Sequence, residues 1–137
     1  MSCDTKTLPD TLSGLIDVAL TDLRAIEQDK RYVVDMIQWH RPAGGRCYVC
    51  LAGAVMAQEL GVALDAFCWP SDLPDDLASK FLALEYLRSG KVRLAMDYMK
   101  LAGRYDLDRS IADYHADRDQ FFADMEQLAS DLRAAGL

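Results

Sequence analysis

In the stretch LPDTLSGLIDVALTDLRAIEQ, the residues Leu12, Leu15, Ile16, Ala19, Leu20, Leu23 and Ile26 recur every three or four positions, with mostly polar side chains between them. That spacing sets them along one side of a 3.6-residue helix and predicts an amphipathic helix. Thr7 followed by Asp10 resembles a capping box. Pro9 suits a first turn, where its missing N–H would have had no partner.

The pattern changes in KRYVVDMIQWHRPAGGR. Tyr32, Val34 and Met36 alternate with Val33, Asp35, Ile37 and Trp39, and both sets are mainly apolar. The spacing predicts one or two short strands or an extended segment over 31–39, ended by Pro42 and the Gly44-Gly45 pair. A single strand there has no evident partner for its backbone groups.

From Cys47 the chain runs uncharged to Ala57 and meets Glu59 only at the end of RCYVCLAGAVMAQELG. This reads as a helix over about 47–60, buried on most sides and stopped by Gly61. Gly53 between two alanines costs about 1 kcal/mol against alanine in a helix, which makes sense if a second backbone comes close there. Turn chemistry follows at Trp69-Pro70-Ser71-Asp72, with Asp72 as an N-cap for the next helix. That helix carries Leu77, Phe81, Leu84 and Leu87 on one face and ends at Ser89-Gly90. KVRLAMDYMKLAG reads as a helix through Val92, Ala95, Met96 and Met99 ending at Gly103, although Val92, Leu94 and Met96 also alternate as in a strand. A last helix starts near Ser110 or His115 and aligns Phe121, Phe122, Met125, Leu128 and Leu132. The fold expected is mainly α: one helical domain over 1–137, about five helices packed around the buried 47–60 helix.

Charge narrows the function. Fifteen basic against twenty-two acidic residues give a formal charge of −7, which disfavours direct nucleic-acid binding through phosphate neutralisation. An acidic surface suits solubility, or docking on a basic protein surface that otherwise holds nucleic acid. Mean hydropathy is near zero and the uncharged run is far shorter than the ~20 residues a bilayer requires, so no membrane association is expected. The opening MSCDTKTLPD has neither the basic start nor the apolar stretch of a signal peptide, and the cytoplasm is the expected compartment.

Cys47 and Cys50 form a C-x-x-C pair that admits three readings. A redox dithiol would place Cys47 at a helix start behind Gly44-Gly45-Arg46, but no flanking βαβ pattern accompanies it. A zinc site would draw on His40, Cys47, Cys50 and Cys68, a formal set of four with loose spacing. The third reading treats both thiols as small apolar packing residues, among the most buried of all types; it is favoured because Cys50 leads straight into Leu51-Ala52-Gly53-Ala54. No hydrolase, P-loop or dinucleotide-binding motif is present, so neither catalysis nor a cofactor is expected. The candidate binding residues are therefore Trp39, His40 and Arg41, on a loop before the glycine turn. To these we add the acidic face of the last helix, including Asp117 and Asp124. Residues 104–137 hold eight acids and four arginines, and a solvated helix face is the simplest account of them.

Trp39-His40, the glycine turn and Cys47-Tyr48-Val49-Cys50-Leu51-Ala52-Gly53-Ala54-Val55-Met56-Ala57 resemble a motif of small uncharacterised bacteriophage and prophage proteins. The resemblance implies a setting: action by binding a host protein in the bacterial cytoplasm, as anti-CRISPR and other host-defence inhibitors do. A homodimer is compatible with this setting. No site residues come with the resemblance.

Overall fold

A computed structural model describes residues 8–37, 39–101 and 109–137. Helix α1 spans Leu12–Glu27, and the seven predicted stripe residues are all buried, at 3% exposure or less. Each leucine or isoleucine among them contributes roughly 1.5–3 kcal/mol relative to exposure. The N-cap is Thr11, whose hydroxyl accepts from the Gly14 N–H at 3.2 Å. Pro9 therefore precedes the cap, and Asp10 pairs with Lys80 at 2.9 Å; Thr7 lies outside the described residues.

The middle of the chain corrects the expected bundle. Strands β1 (Tyr32–Val34), β2 (His40–Ala43) and β3 (Arg46–Val49) form a sheet in the order β1-β3-β2. β1 runs parallel to β3, pairing Tyr32 with Cys47 and Val34 with Val49; β2 runs antiparallel, pairing His40 with Val49 and Ala43 with Arg46. The strand expected over 31–39 thus exists at 32–34, and its partner is the start of the uncharged run that reads as helix. Gly44 and Gly45 have φ of +58° and +79°. Two consecutive left-handed residues make a tight hairpin turn, the conformation for which glycine pairs are chosen.

Cys47, Tyr48 and Val49 are therefore strand residues, and helix α2 covers only Leu51–Glu59. Cys50 is its N-cap, with Sγ accepting from the Gly53 N–H at 3.4 Å, and Gly61 follows the helix end at φ +63°. Leu51 to Met56 are buried. α2 packs on α1, on the sheet and on α3 (Asp75–Arg88).

A 3-10 turn at Pro70–Asp72 precedes α3, and Asp72 belongs to that turn rather than to the helix cap, which is Pro74. Phe81, Leu84 and Leu87 of the predicted face are fully buried and Leu77 is half-buried. α4 (Val92–Tyr98) is helical: Val92, Ala95 and Met96 face inward, while Leu94, which a strand would have turned inward with them, is 43% exposed. It ends before Lys100, and Gly103 lies outside the described residues. α5 spans Arg118–Ala134, starting later than expected, and buries the five predicted apolar residues together with Ala129. It packs mainly on α1.

The α1–α5 seam explains the acidic face. Arg24 pairs with Glu126, Arg133 with Asp17, and Arg118 with Glu27 and Asp119. The guanidinium carbons of Arg24 and Arg118 lie 4.4 and 4.5 Å from the centre of the Phe122 ring, a cation–π arrangement. Glu27 is the most enclosed of these acids, accepting from Arg118 Nε and Nη2 at 2.6 Å and from the Tyr114 hydroxyl at 2.5 Å. Burial pushes its carboxyl up, but the Arg118 and Tyr114 hydrogen bonds and the Arg118 and Arg24 charges more than offset this and hold it below the ordinary range. Because the folded value is depressed, the ionised form stabilises the fold above about pH 4 to 5 and that contribution is lost on acidification below it. A Glu27→Gln variant is expected to lose about 1–3 kcal/mol at neutral pH and to show a flatter loss of stability between about pH 5 and 3. Urea titrations across that interval check it; parallel pH profiles for the two proteins would count against it.

Candidate hydrophobic groove

His40 organises the ground beneath the groove. Its position in β2 points the ring inward, and it is fully buried. Nδ1 lies 2.8 Å from the Ala66 carbonyl oxygen. A carbonyl only accepts, so Nδ1 carries the proton; the Cys47 sulfur lies against the same edge of the ring, 3.3 Å from Nδ1 and 3.6 Å from Nε2. Burial holds the imidazole below its usual pKa, the hydrogen bond to Ala66 opposing. The same burial pushes the Cys47 thiol up to about 11 and the Cys50 thiol higher still, with the Glu85 charge adding to the second. A neutral imidazole beside a neutral, enclosed thiol is neither a nucleophilic pair nor an activated dithiol. The hydrogen bond from His40 Nδ1 to the Ala66 carbonyl instead fastens one piece of chain to another.

What it fastens is the segment leading to the 3-10 turn. The Cys68 N–H reaches the His40 carbonyl at 3.4 Å, so residues 66–68 run along the outer edge of β2. On this extended segment Cys68 turns inward at 6% exposure, while Phe67 and Trp69 stand 58% and 40% exposed on the other side. Trp39 is half-buried just ahead of β2.

Trp39's own position depends on α2. Its carbonyl receives the Cys50 N–H at 3.4 Å and sits against Gly53, where an added Cβ would lie 1.6 Å from that oxygen. The close backbone approach expected at Gly53 is thus made by Trp39. An electronegative carbonyl at the first turn of a helix also meets N–H groups that have no partner within the helix.

Between Trp39 and Trp69 lies an open groove of about 500 Å³, walled by the two indoles with Pro70, Leu73, Ala78 and Leu82. Its volume matches ligand or side-chain pockets. Both tryptophans of the chain are here. A second depression of about 370 Å³, beside Asp76, Lys80, Tyr98 and Lys100, has a mixed charged lining without a tryptophan.

The predicted site residues separate in the structure. Trp39 lines the groove, Arg41 is exposed on β2, and His40 supports the surface from within instead of presenting its ring. Asp117 caps α5 by accepting from the Gln120 N–H, and Asp124 accepts from the Ala112 N–H at 2.8 Å and from Gln120. These two aspartates hold the approach to α5 and do not border the groove. Of the formal zinc set, His40 and Cys47 touch while Cys50 Sγ is turned to the α2 backbone. Among the described residues no three His, Cys, Asp or Glu side chains are grouped to hold a metal ion, and no helix is long and apolar enough to cross a membrane.

Sequence reasoning missed Trp69 and Leu73, which line the groove. Trp69-Pro70-Ser71-Asp72 reads correctly as a turn, and that reading hides the indole's role. The signal present was the alternation Phe67-Cys68-Trp69, two large rings flanking a small apolar residue. Comparison with protein-family models, with curated proteins and with solved structures finds no match to this chain.

Proposed function

We propose that the protein acts by binding a partner protein through the Trp39–Trp69 groove. The observation that carries this reading is the open groove lined by both indoles together with Pro70, Leu73, Ala78 and Leu82, with Trp69 40% exposed at its edge. Tryptophan is enriched where a few residues supply most of the energy of a protein–protein contact, and an aromatic-walled pocket takes a single anchoring side chain. The buried His40–Ala66 hydrogen bond supports the surface, and the His40–Cys47 contact supplies no chemistry to it. The resemblance of residues 39–57 to phage-borne proteins directs the search to a host bacterial protein, with inhibition of a defence component, in the manner of an anti-CRISPR protein, as the form such binding takes.

Trp69→Ala tests this. The side chain is partly exposed, so the fold is expected to persist by circular dichroism, while affinity for the partner falls about thirtyfold or more. The partner is recovered from bacterial lysate on immobilised wild-type protein and its binding is then measured with both purified proteins. Equal binding by the two proteins would overturn the reading.

A further inference from the structure

The rim of the groove carries carboxylates that form no ion pair among the described residues. Asp72 is tied beside Trp69, its carboxylate accepting the Trp69 N–H at 3.0 Å. Asp75, in the first turn of α3, lines the groove itself, whereas Asp76 lines the second depression with Lys80 and Lys100. Asp72 and Asp75 are both exposed. The next basic residue along the chain, Lys80, is committed elsewhere, donating to Asp10 and to the Leu8 carbonyl at 2.9 Å each. Arg41, exposed on β2, makes no ion pair among the described residues. The contrast with the α1–α5 seam is direct: there Glu27, Glu126, Asp17 and Asp119 each meet an arginine.

We infer that the groove takes a peptide segment of its partner in which one large apolar side chain enters between Trp39 and Trp69 while a neighbouring lysine or arginine meets Asp72 and Asp75. This rests on the groove being the contact surface and adds the chemistry of what fills it. Other occupants fit the charge poorly. A second copy would bring its own acidic rim and its own formal charge of −7 against the same face. Nucleic-acid phosphates and anionic lipid headgroups would meet the same carboxylates with like charge. A cationic segment gains from both features, the apolar walls supplying affinity and the carboxylates choosing among apolar peptides.

The test uses a random peptide display library, selected on the wild-type protein and counter-selected on Trp69→Ala. Enriched peptides are expected to share an aromatic or large aliphatic residue within about three positions of lysine or arginine. A representative peptide free of tryptophan should shift the indole emission, since both reporters line the groove. Its affinity should fall about tenfold between about 50 and 300 mM salt, and about tenfold in D72N/D75N, where the side-chain amide oxygen at position 72 still accepts from the Trp69 N–H. Enriched peptides with no basic bias, basic peptides with no apolar anchor, or unchanged affinity in D72N/D75N would overturn the inference and leave the groove standing. A library yielding nothing that separates wild type from Trp69→Ala would overturn the groove as well.

Discussion

Gly53→Ala is expected to destabilise the protein by about 3 kcal/mol or more, against the gain of about 1 kcal/mol that the same change brings in an ordinary helix interior. The reversal follows from what the new methyl group meets. It would lie 1.6 Å from the Trp39 carbonyl oxygen, 2.8 Å from the carbonyl carbon and 3.0 Å from the Val49 Cβ. Two of these neighbours are backbone, and Val49 is fully buried in β3, hydrogen-bonded between β1 and β2. None is the mobile end of a long side chain, so either α2 or the strand entry must move. In a core packed as densely as a crystal, such a shift is expensive. The part most easily displaced is the segment bearing Trp39, so indole emission should move to the red along with the loss in stability. Urea denaturation followed by circular dichroism gives the first quantity and fluorescence the second. A variant as stable as wild type would show that the approach is not constraining.

His40→Ala is expected to cost about 2–4 kcal/mol, combining a buried cavity with an abandoned Ala66 carbonyl. The consequence for the surface should be larger than the number implies. Residues 66–68 lose the side-chain bond that holds them along β2, and with them Phe67 and Trp69 lose their fixed positions, so partner binding should weaken in a protein still able to fold. A pH dependence separates this from simple core damage. The folded imidazole titrates below its ordinary value, so the unfolded chain binds the proton more readily. Stability contributed by the neutral ring is complete above about pH 6.5 and declines as the pH falls toward the depressed value. The wild type should therefore lose stability between about pH 6.5 and 5 by an amount that His40→Gln does not share. Stability curves measured at several pH values check this, and identical slopes would contradict it.

How much of this is legible in the chain depends on periodicity. α1 can be read residue by residue because its apolar stripe alternates with polar positions, so burial direction and helix type are written in the same pattern. Cys47 to Ala57 offers no such contrast. In an unbroken apolar run a buried strand and a buried helix look alike, and the boundary at Cys50 is set by backbone pairing with residues 31–35 and 39–43. The hairpin is hidden for a related reason. His40-Arg41-Pro42-Ala43 is a poor strand by propensity, and its stability comes from Val49, Tyr48, Cys47 and Arg46 opposite, so the glycine pair reads as an end instead of a reversal. The ion pairs of α5 are equally invisible locally, since Arg24 and Glu126 are far apart in the chain and meet only because α1 and α5 pack.

The candidate site shows the same division. Trp39 can be singled out because an indole next to a polar pair and a glycine turn is conspicuous. Its counterpart Trp69 reaches the same groove on a segment held by a bond from a buried histidine, a relation between residues 40 and 66 that no spacing announces. His40 draws notice for the right chemistry and the wrong address: a titratable ring in a segment that reads as loop is expected outside, and strand alternation turns it in.

The order β1-β3-β2 also sets a schedule. The middle strand is the last of the three to be made, so on a growing chain Tyr32–Val34 waits without its partner until Val49 has emerged. The β2–β3 hairpin closes across two glycines and can form as soon as its second arm appears, whereas β1 joins by docking onto an arm already built. Within the sheet, Tyr32-Val33-Val34 is thus the segment that depends on a partner not yet made.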